Sequence, residues 1–493
     1  MQGRRALHRA AGSQPRAHRE PYIGFCFTLF CAVTLLAVMQ PRLVHWFLIP
    51  VLACGCVCGR DVLGWFSGRL DPFDPRGIIG VVGMHLFFLA PLLLVYWDME
   101  YDTATRPDDW RPWLGILSAI NVGGLLIYRW FERVVFHRRP RRSPRWTIDQ
   151  DRVFAILIPA LLLSGVAQLY LWYRFGGIVG QLENYKSGDF SGVRGRFKYQ
   201  LLASAFPILL LFLLTALRAR GDRNRGRYSM AFFILGLTFV LYFITDGLRG
   251  SRSAIIWTLF WATGIIHYFW RRLSARVLLA GLVPLFVFMY TYGLYKSYGS
   301  RVIDVYEQSR SLTEMSERSG RTSKRLLVRD LSRTDVQAFM IYRLLSDHSE
   351  YQLELGATYA ETLPRMLLPS WIWRGRPKLP RKALAGARLH YGAYAPPAEA
   401  LSKVYGLLGE SMLNFHLLGV PIAFALFGMA MGLYRRARST WAEGDARLFM
   451  APFFAIWFLA AMVGDFDNLL LFTMTKGLFP AFVLLLLVRR QRT

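Results

Sequence analysis

Long apolar blocks recur along the whole chain, and they constrain its fold more than any other feature of the sequence. Each block has about 17–25 residues, the length that a helix needs to cross the hydrocarbon layer of a membrane. A soluble core would show shorter or amphipathic segments. The blocks therefore predict an all-α polytopic membrane protein with about twelve transmembrane helices.

The twelve predicted spans separate two terminal tails and one large loop. The spans lie near residues 21–39, 43–58, 77–97, 112–131, 153–174, 200–218, 229–245, 253–270, 277–293, 412–434, 449–464 and 468–488. The predicted divisions are a basic cytoplasmic tail at 1–20, spans one to nine within 21–293, a large outer loop at 294–411, spans ten to twelve within 412–488, and a cytoplasmic tail at 489–493.

Loop charges predict the orientation. If the N-terminus is cytoplasmic and the spans alternate, the arginine clusters fall on the inside, which is the positive-inside pattern. These clusters lie at 4–9, 138–145, 218–227, 271–276, 435–438 and 489–492. Acidic stretches at 98–102 and 465–467 fall outside. We therefore expect both termini in the cytoplasm and the loop 294–411 on the outer side.

The outer loop is too long for a simple connection, so we expect it to be partly helical. Its segment 325–346 can form one helix with an apolar stripe. That stripe comprises Leu326, Leu327, Leu331, Phe339, Ile341 and Leu344. Such a helix would lie on the membrane face or cover a cavity.

Composition excludes several classes of protein. The net charge of +28 invites a nucleic-acid interpretation, but the basic residues flank apolar blocks and form no stripe on a soluble domain. The five cysteines all lie in the first two apolar blocks, so no disulfide framework is expected. The sequence has no zinc pattern, Walker motif or dinucleotide fingerprint. We therefore predict no metal, no cofactor and no nucleic-acid partner.

A short turn between two apolar spans carries Asp246, Arg249 and Arg252. Charges at a membrane boundary are costly unless they face water, a partner or a ligand. Arginine suits phosphate oxygens, and the neighbouring glycines and serines allow backbone N–H groups to approach an anion. The turn predicts either a pyrophosphate clamp or a hairpin whose arginines reach lipid headgroups.

Two further stretches carry polar groups that could act on a substrate. Glu410 and Asn414 open a span at its outer boundary, where Glu410 could be a general base, pair with an arginine, or favour the helix dipole. The segment 356–378 combines prolines and aromatic rings with Arg365, Arg376 and Lys378, a pattern that suits acidic sugars, phosphate or anionic lipid. His348 and His390 could titrate near neutral pH or be structural.

These stretches, in this order, resemble the bacterial O-antigen or oligosaccharide repeat-unit polymerases of the Wzy type. The resemblance rests on Phe175-Gly176-Gly177-Ile178, on Gly250-Ser251-Arg252-Ser253, on Pro364-Arg365 with Pro377-Lys378, and on Gly409-Glu410, Asn414-Phe415 and Leu418-Gly419. It covers roughly Arg174 to Arg436. His416 departs from it, because a small residue such as glycine is expected after Asn-Phe.

The resemblance implies a metal-independent, lipid-linked glycosyltransferase of the bacterial cytoplasmic membrane. Such enzymes transfer a growing glycan from undecaprenyl pyrophosphate to a lipid-linked repeat unit on the outer face, with membrane lipids around them and a chain-length regulator and a flippase as further partners. The implied roles place Arg249 and Arg252 on the pyrophosphate, assisted by Arg365 and by Arg194 or Arg196. Glu410 would activate the acceptor, with Asp246 and His390 as the next candidates. Arg376, Lys378 and Asn414 would contact the substrate.

Three alternatives remain open. An O-antigen ligase would use the same donor but a lipid A core as acceptor. A lipid-linked oligosaccharide flippase or secondary transporter would favour paired halves and helices interrupted near the midplane, neither of which is visible in the sequence. A non-catalytic partner in polysaccharide export is the third.

Overall fold

The apolar blocks form long helices, because a helix satisfies its backbone N–H and C=O groups within the segment itself. In its described residues, the computed structural model has nine helices that are long and apolar enough to cross a membrane. The protein is therefore an all-α polytopic membrane protein. The described residues are 19–99, 106–138, 143–178, 180, 197–218, 228–247, 252–298, 307, 309, 311–320, 322–346, 351–368, 372–377, 379–391 and 403–491.

The helices follow the predicted order of spans and outer loop. They are α1 (Arg19–Met39), α2 (Leu48–Phe66), α3 (Pro75–Tyr96), α4 (Arg111–Phe136), α5 (Arg152–Arg174), α6 (Phe197–Ala203 with Phe206–Arg218), α7 (Tyr228–Thr245), α8 (Arg252–Phe269), α9 (Ala275–Tyr298), α10 (Leu312–Arg318), α11 (Ser323–Arg325 with Leu326–Asp330), α12 (Thr334–Leu345), α13 (Ala357–Leu367), α14 (Arg381–Tyr391), α15 (Gly406–Arg438), α16 (Ala451–Val463) and α17 (Phe466–Leu487). Two short strands, β1 (Arg145–Ile148) and β2 (Val488–Gln491), pair antiparallel and hold the end of the chain beside the start of α5.

Three predicted spans correspond to shorter apolar helices, at Ser229–Thr245, Ser253–Phe269 and Ala451–Val463. The predicted second span, 43–58, was wrong at both ends, because α2 covers Leu48–Phe66. The charged residue Asp61 does not end this helix. Its carboxylate is buried and pairs with Arg76 and Arg129, so the polar group is satisfied inside the bundle.

Side chains pack into two large apolar cores. One joins α2, α3 and α4 to α12, α15 and α16, with Leu114, Phe339 and Met412 almost fully buried. The other joins α5 to α8 with α16 and α17, around Ile208 and Trp261. Of the outer-loop helices, α11, α12 and α14 therefore contribute side chains to the first core.

Ion pairs tie α2, α3, α4 and α15 together at one end of the bundle. This basic-end network consists of Asp61, Asp74, Arg76, Arg129, Glu132 and Arg435. Contacts at the opposite end, which we call the loop end, join the connections before α2, after α3 and before α4. Gln40 donates to the carbonyl of Tyr96, and Arg111 donates to the carbonyl of Arg42.

Helices α10 to α14 lie in the predicted outer loop, but the single helix expected at 325–346 is interrupted. α11 ends at Asp330, and α12 begins at Thr334. Ser332 causes the break, because its hydroxyl donates to the carbonyl of Val328 at 2.6 Å and accepts from the N–H of Thr334 at 3.1 Å. Leu331, which was expected in the apolar stripe, is 36% exposed at this break.

Candidate functional site

Glu410 lies in a buried hydrogen-bond cluster at the loop end, where α13, α15 and α17 meet. The hydroxyl of Thr358 donates to one carboxylate oxygen at 3.0 Å, and the N–H of Phe466 donates to the other at 2.6 Å. The side-chain amide of Asn414 donates to the hydroxyl of Thr358 and to the carbonyl of Glu410, both at 2.8 Å. We call Glu410, Thr358 and Asn414 the Glu410 cluster; it brings two predicted site residues together.

α15 is broken directly after this cluster. Phe415 (φ −133°, ψ 15°) and His416 (φ 54°, ψ −151°) leave the helical conformation, so the carbonyls before them lose their partners within the helix. Backbone N–H groups of the outer loop replace those partners. Glu354 donates to the carbonyl of Leu413 at 3.1 Å, and Leu355 donates to that of Asn414 at 3.0 Å. The loop thus supplies the hydrogen bonds that the broken helix lacks.

A lysine and two aspartates form an ion cluster beside Glu410. The ammonium of Lys382, on α14, lies 2.7 Å from Asp465 and 3.1 Å from Asp467. Asp465 also accepts from the N–H groups of Tyr405 and Gly406, both at 2.8 Å, which fixes the start of α15. Burial alone would lower the pKa of Lys382, but the two carboxylates outweigh burial and raise this pKa.

Glu410 itself has no cationic partner among the residues that the structure describes. It is only 3% exposed, and both of its oxygens accept hydrogen bonds from neutral groups. In this arrangement the carboxylate connects three helices. Action as a general base would require Glu410 to exchange one of these bonds for a substrate hydroxyl, so that role stays a prediction.

Arg365 and Arg376 lie together on the outer loop. Arg365 pairs with Glu361 at 2.7 Å and donates to the carbonyl of Pro377 at 3.1 Å. Burial, then the charge of Arg365, lowers the pKa of Arg376, whose side chain is exposed. Arg365 therefore holds the loop together through its contacts with Glu361 and Pro377, whereas the exposed guanidinium of Arg376 can contact an anion.

His390 is buried on α14, 4.5 Å from the ring of Phe339 and stacked on it. Burial, reinforced by the charges of Lys403 and Arg343, lowers the pKa of His390 to about 3. The imidazole is therefore neutral at physiological pH. Its Nε2 has no hydrogen-bond partner in the part of the chain described here.

Asp246 directly follows the last residue of α7 and pairs with Lys476, whose ammonium is 2.5 Å from its carboxylate. The side chain of Asp246 is buried, that of Lys476 is only 11% exposed, and the ammonium lies 5.2 Å from the ring of Tyr242. Lys476 belongs to a π-helical turn of α17, Thr473–Leu478, and such turns often occur at functional sites. Sequence reasoning missed this residue, although a single lysine inside an apolar span is a signal in itself.

The remaining predicted residues cannot be compared with the structure. Arg194, Arg196, Arg249 and Lys378 lie outside the described residues, and Arg252 is described only as the first residue of α8. Tyr292 donates to the carbonyl of Gly247, which anchors the chain one residue after Asp246.

The two buried clusters are connected by α17 but do not touch. Phe466, which binds Glu410, and Lys476, which binds Asp246, are ten residues apart on this helix, which is about 15 Å at 1.5 Å per residue. Lys476 therefore lies beside Asp246 and far from Glu410.

No group of three or more potential metal-ligating side chains occurs within the described ranges. Compared with protein-family models, curated proteins and solved structures, the chain gives no match.

Proposed function

We propose that the protein is a bacterial polysaccharide repeat-unit polymerase, a metal-independent glycosyltransferase that acts on the outer face of the cytoplasmic membrane. The donor is a growing glycan on undecaprenyl pyrophosphate, and the acceptor is a lipid-linked repeat unit. One observation carries the proposal: the buried pair of Asp246 and Lys476, in the apolar bundle beside the turn that leads to Arg252. Ionisable residues buried in a membrane bundle usually mark a functional site.

The proposed topology has twelve spans and two cytoplasmic termini. The nine long helices and the three shorter apolar helices together make this number, and the loop charges set the orientation. The contacts of the basic-end network and of the loop end support it, because each joins connections that alternate spans place on one side. The basic end would face the cytoplasm and the loop end the outside.

The reaction forms one bond and breaks another at the anomeric carbon of the donor. The acceptor hydroxyl attacks this carbon, its proton passes to a carboxylate, and the bond to the pyrophosphate oxygen breaks. Lys476, with Arg249 and Arg252, would stabilise the charge on the departing lipid pyrophosphate without a metal. Asp246 would then accept the proton once pyrophosphate oxygens replace it at Lys476.

This mechanism changes the order of the candidate bases. We place Asp246 ahead of Glu410, because about 15 Å of α17 separates the Glu410 cluster from Lys476. Glu410 and Asn414 would hold the outer loop over the site. Arg365 and Arg376 would then contact the glycan, together with Lys378.

The test is chain extension by purified protein on lipid-linked repeat units. Arg252→Ala should abolish extension while membrane insertion is unchanged. The double variant Asp246→Asn with Lys476→Met removes both charges of the pair together, so neither is left facing a neutral partner. Loss of extension in this folded double variant supports the proposal, whereas normal extension would show that the pair is only structural. Transfer to a lipid A core instead of a repeat unit would identify a ligase.

A flippase or secondary transporter is the second candidate, and the broken helix α15 favours it. Interrupted helices are common at the binding sites of transporters. The sequence shows none near the midplane, but α15 is interrupted at Phe415 and His416, next to the Glu410 cluster. Reconstituted vesicles distinguish the two functions. Movement of the lipid-linked oligosaccharide without new glycosidic bonds would favour transport, and longer products without such movement would favour the polymerase.

A further inference from the structure

The basic-end network is electrically balanced within itself. Arg76 lies 2.8 Å from Asp61 and 3.4 Å from Glu132, and Arg129 also pairs with Asp61. Arg435 lies 3.0 Å from Asp74 and pairs with Glu132. The network thus has three acidic and three basic side chains. It needs no further counter-ion.

Two arginines border this network without belonging to it. Arg60 precedes Asp61 on α2, and Arg133 follows Arg129 by one helical turn on α4. Both side chains are exposed, and neither has an ion-pair partner among the residues described. Arg60 interacts electrostatically with Arg133 as well as with Arg76, Arg129 and Asp61 of the network. Because the network is balanced within itself, Arg60 and Arg133 leave this surface with a surplus of positive charge.

The surplus lies where the chain meets lipid. Arg60 is six residues from Phe66, the last residue of α2, which places it about 9 Å inside the helix end. Trp130 on α4 is 59% exposed, and tryptophan favours the boundary between acyl chains and headgroups. An exposed arginine at this depth extends its guanidinium toward the interface, where water and the phosphates of lipid headgroups are within its reach.

We propose that Arg60 and Arg133 form a binding site for the phosphate of an anionic phospholipid in the leaflet at the basic end. The guanidinium groups would hold the phosphate oxygens, while the acyl chains would lie along the exposed apolar faces of α2 and α4. The site is independent of the proposed glycosyltransferase reaction and lies at the opposite end of the bundle.

Native mass spectrometry of the purified full-length protein tests the site, with phosphatidylglycerol and phosphatidylcholine as competing lipids. Wild-type protein should retain phosphatidylglycerol preferentially. Arg60→Gln with Arg133→Gln should weaken its retention about thirtyfold, which corresponds to about 1 kcal/mol for each arginine near an anionic surface. The matched control, Arg69→Gln with Arg276→Gln, removes the same charge from two exposed arginines outside the site and should bind normally.

Three results would overturn the site: equal retention of both lipids, normal retention in the Arg60 and Arg133 double variant, or an equal loss in the control. If the double variant does not fold, the wild type still decides, because displacement of phosphatidylglycerol by inorganic phosphate would assign the site to a soluble anion. Arg133→Lys keeps the charge and should retain most of the binding.

Discussion

His416 provides the sharpest test of the structure, because its backbone conformation suits glycine. With φ 54° and ψ −151°, it lies in a region that side-chain-bearing residues rarely adopt. Such a conformation costs about 1–3 kcal/mol. The contact that holds the side chain, from its ring nitrogen to the carbonyl of Leu344, is long at 3.4 Å and contributes little. The strain is therefore imposed by the packing around the broken helix.

We predict that His416→Gly is more stable than His416→Ala by about 1 kcal/mol. Both variants lose the contact with Leu344, so their difference isolates the backbone. Alanine keeps the strain of about 1–3 kcal/mol. Glycine avoids this strain but loses more conformational entropy on folding, about 0.5–1 kcal/mol. The free energy of unfolding, measured in mixed micelles by denaturant titration, checks the difference.

Leu418 supplies the matched control two residues later. It is 77% exposed and lies in the helical part of α15, so glycine there should be less stable than alanine by about 1 kcal/mol. The sign of the glycine effect should therefore reverse between Leu418 and His416. Glycine less stable than alanine at both positions would refute the broken helix.

Three further predictions concern the same end of the molecule. Gly419→Ala should destabilise the protein by about 1–3 kcal/mol, because a Cβ would lie 2.4 Å from the carbonyl oxygen of Ser411. Thr358→Val should lower the free energy of unfolding by about 1–3 kcal/mol, because it leaves Glu410 without one of its two donors. The pKa of His390 is about 3 in the folded protein and about 6.5 in the unfolded chain, so between these values the unfolded chain binds more protons. The wild type should therefore lose stability as the pH falls through this range. His390→Phe should remove that loss.

These predictions have separate controls. Thr362→Val removes a hydroxyl that donates only to the carbonyl one turn earlier, so it should cost less than Thr358→Val. An equal loss of stability in the two variants would show that the hydrogen bond from Thr358 to Glu410 adds no stability beyond that of an ordinary helical hydroxyl. Stability curves of wild type and His390→Phe that stay parallel from pH 7 to pH 4 would contradict the neutral, buried imidazole.

The spans were predictable because they depend on local composition. α1 and α5 begin within two residues of the predicted positions, since the change from polar to apolar residues is abrupt there. The second span failed because Arg60 and Asp61 interrupt the apolar block. Arg76 and Arg129 neutralise Asp61 inside α2, and no local sequence pattern predicts this pairing.

The candidate site was predictable only in part, because its partners are distant in sequence. Glu410 and Thr358 are 52 residues apart, and Asp246 and Lys476 are 230 residues apart. The sequence predicted that Asp246 and Glu410 lie near a membrane boundary. It did not show that Glu410 already has two hydrogen bonds, or that the partner of Asp246 is a lysine in a widened helical turn.

The buried charges of the basic-end network differ from the pair of Asp246 and Lys476 in how many partners they have and in the helix geometry around them. Each carboxylate of the basic-end network has at least one arginine partner, and Asp61 and Glu132 have two each, so one exchanged contact leaves the network largely intact. Lys476 meets Asp246 from a π-helical turn, where the backbone is less constrained. A ligand phosphate could replace Asp246 at this ammonium without removing any link of the basic-end network. For this reason the double neutral variant of Asp246 and Lys476 should fold and lose function, whereas Asp61→Asn should primarily lower stability, because it weakens the pairing of Arg76 and Arg129.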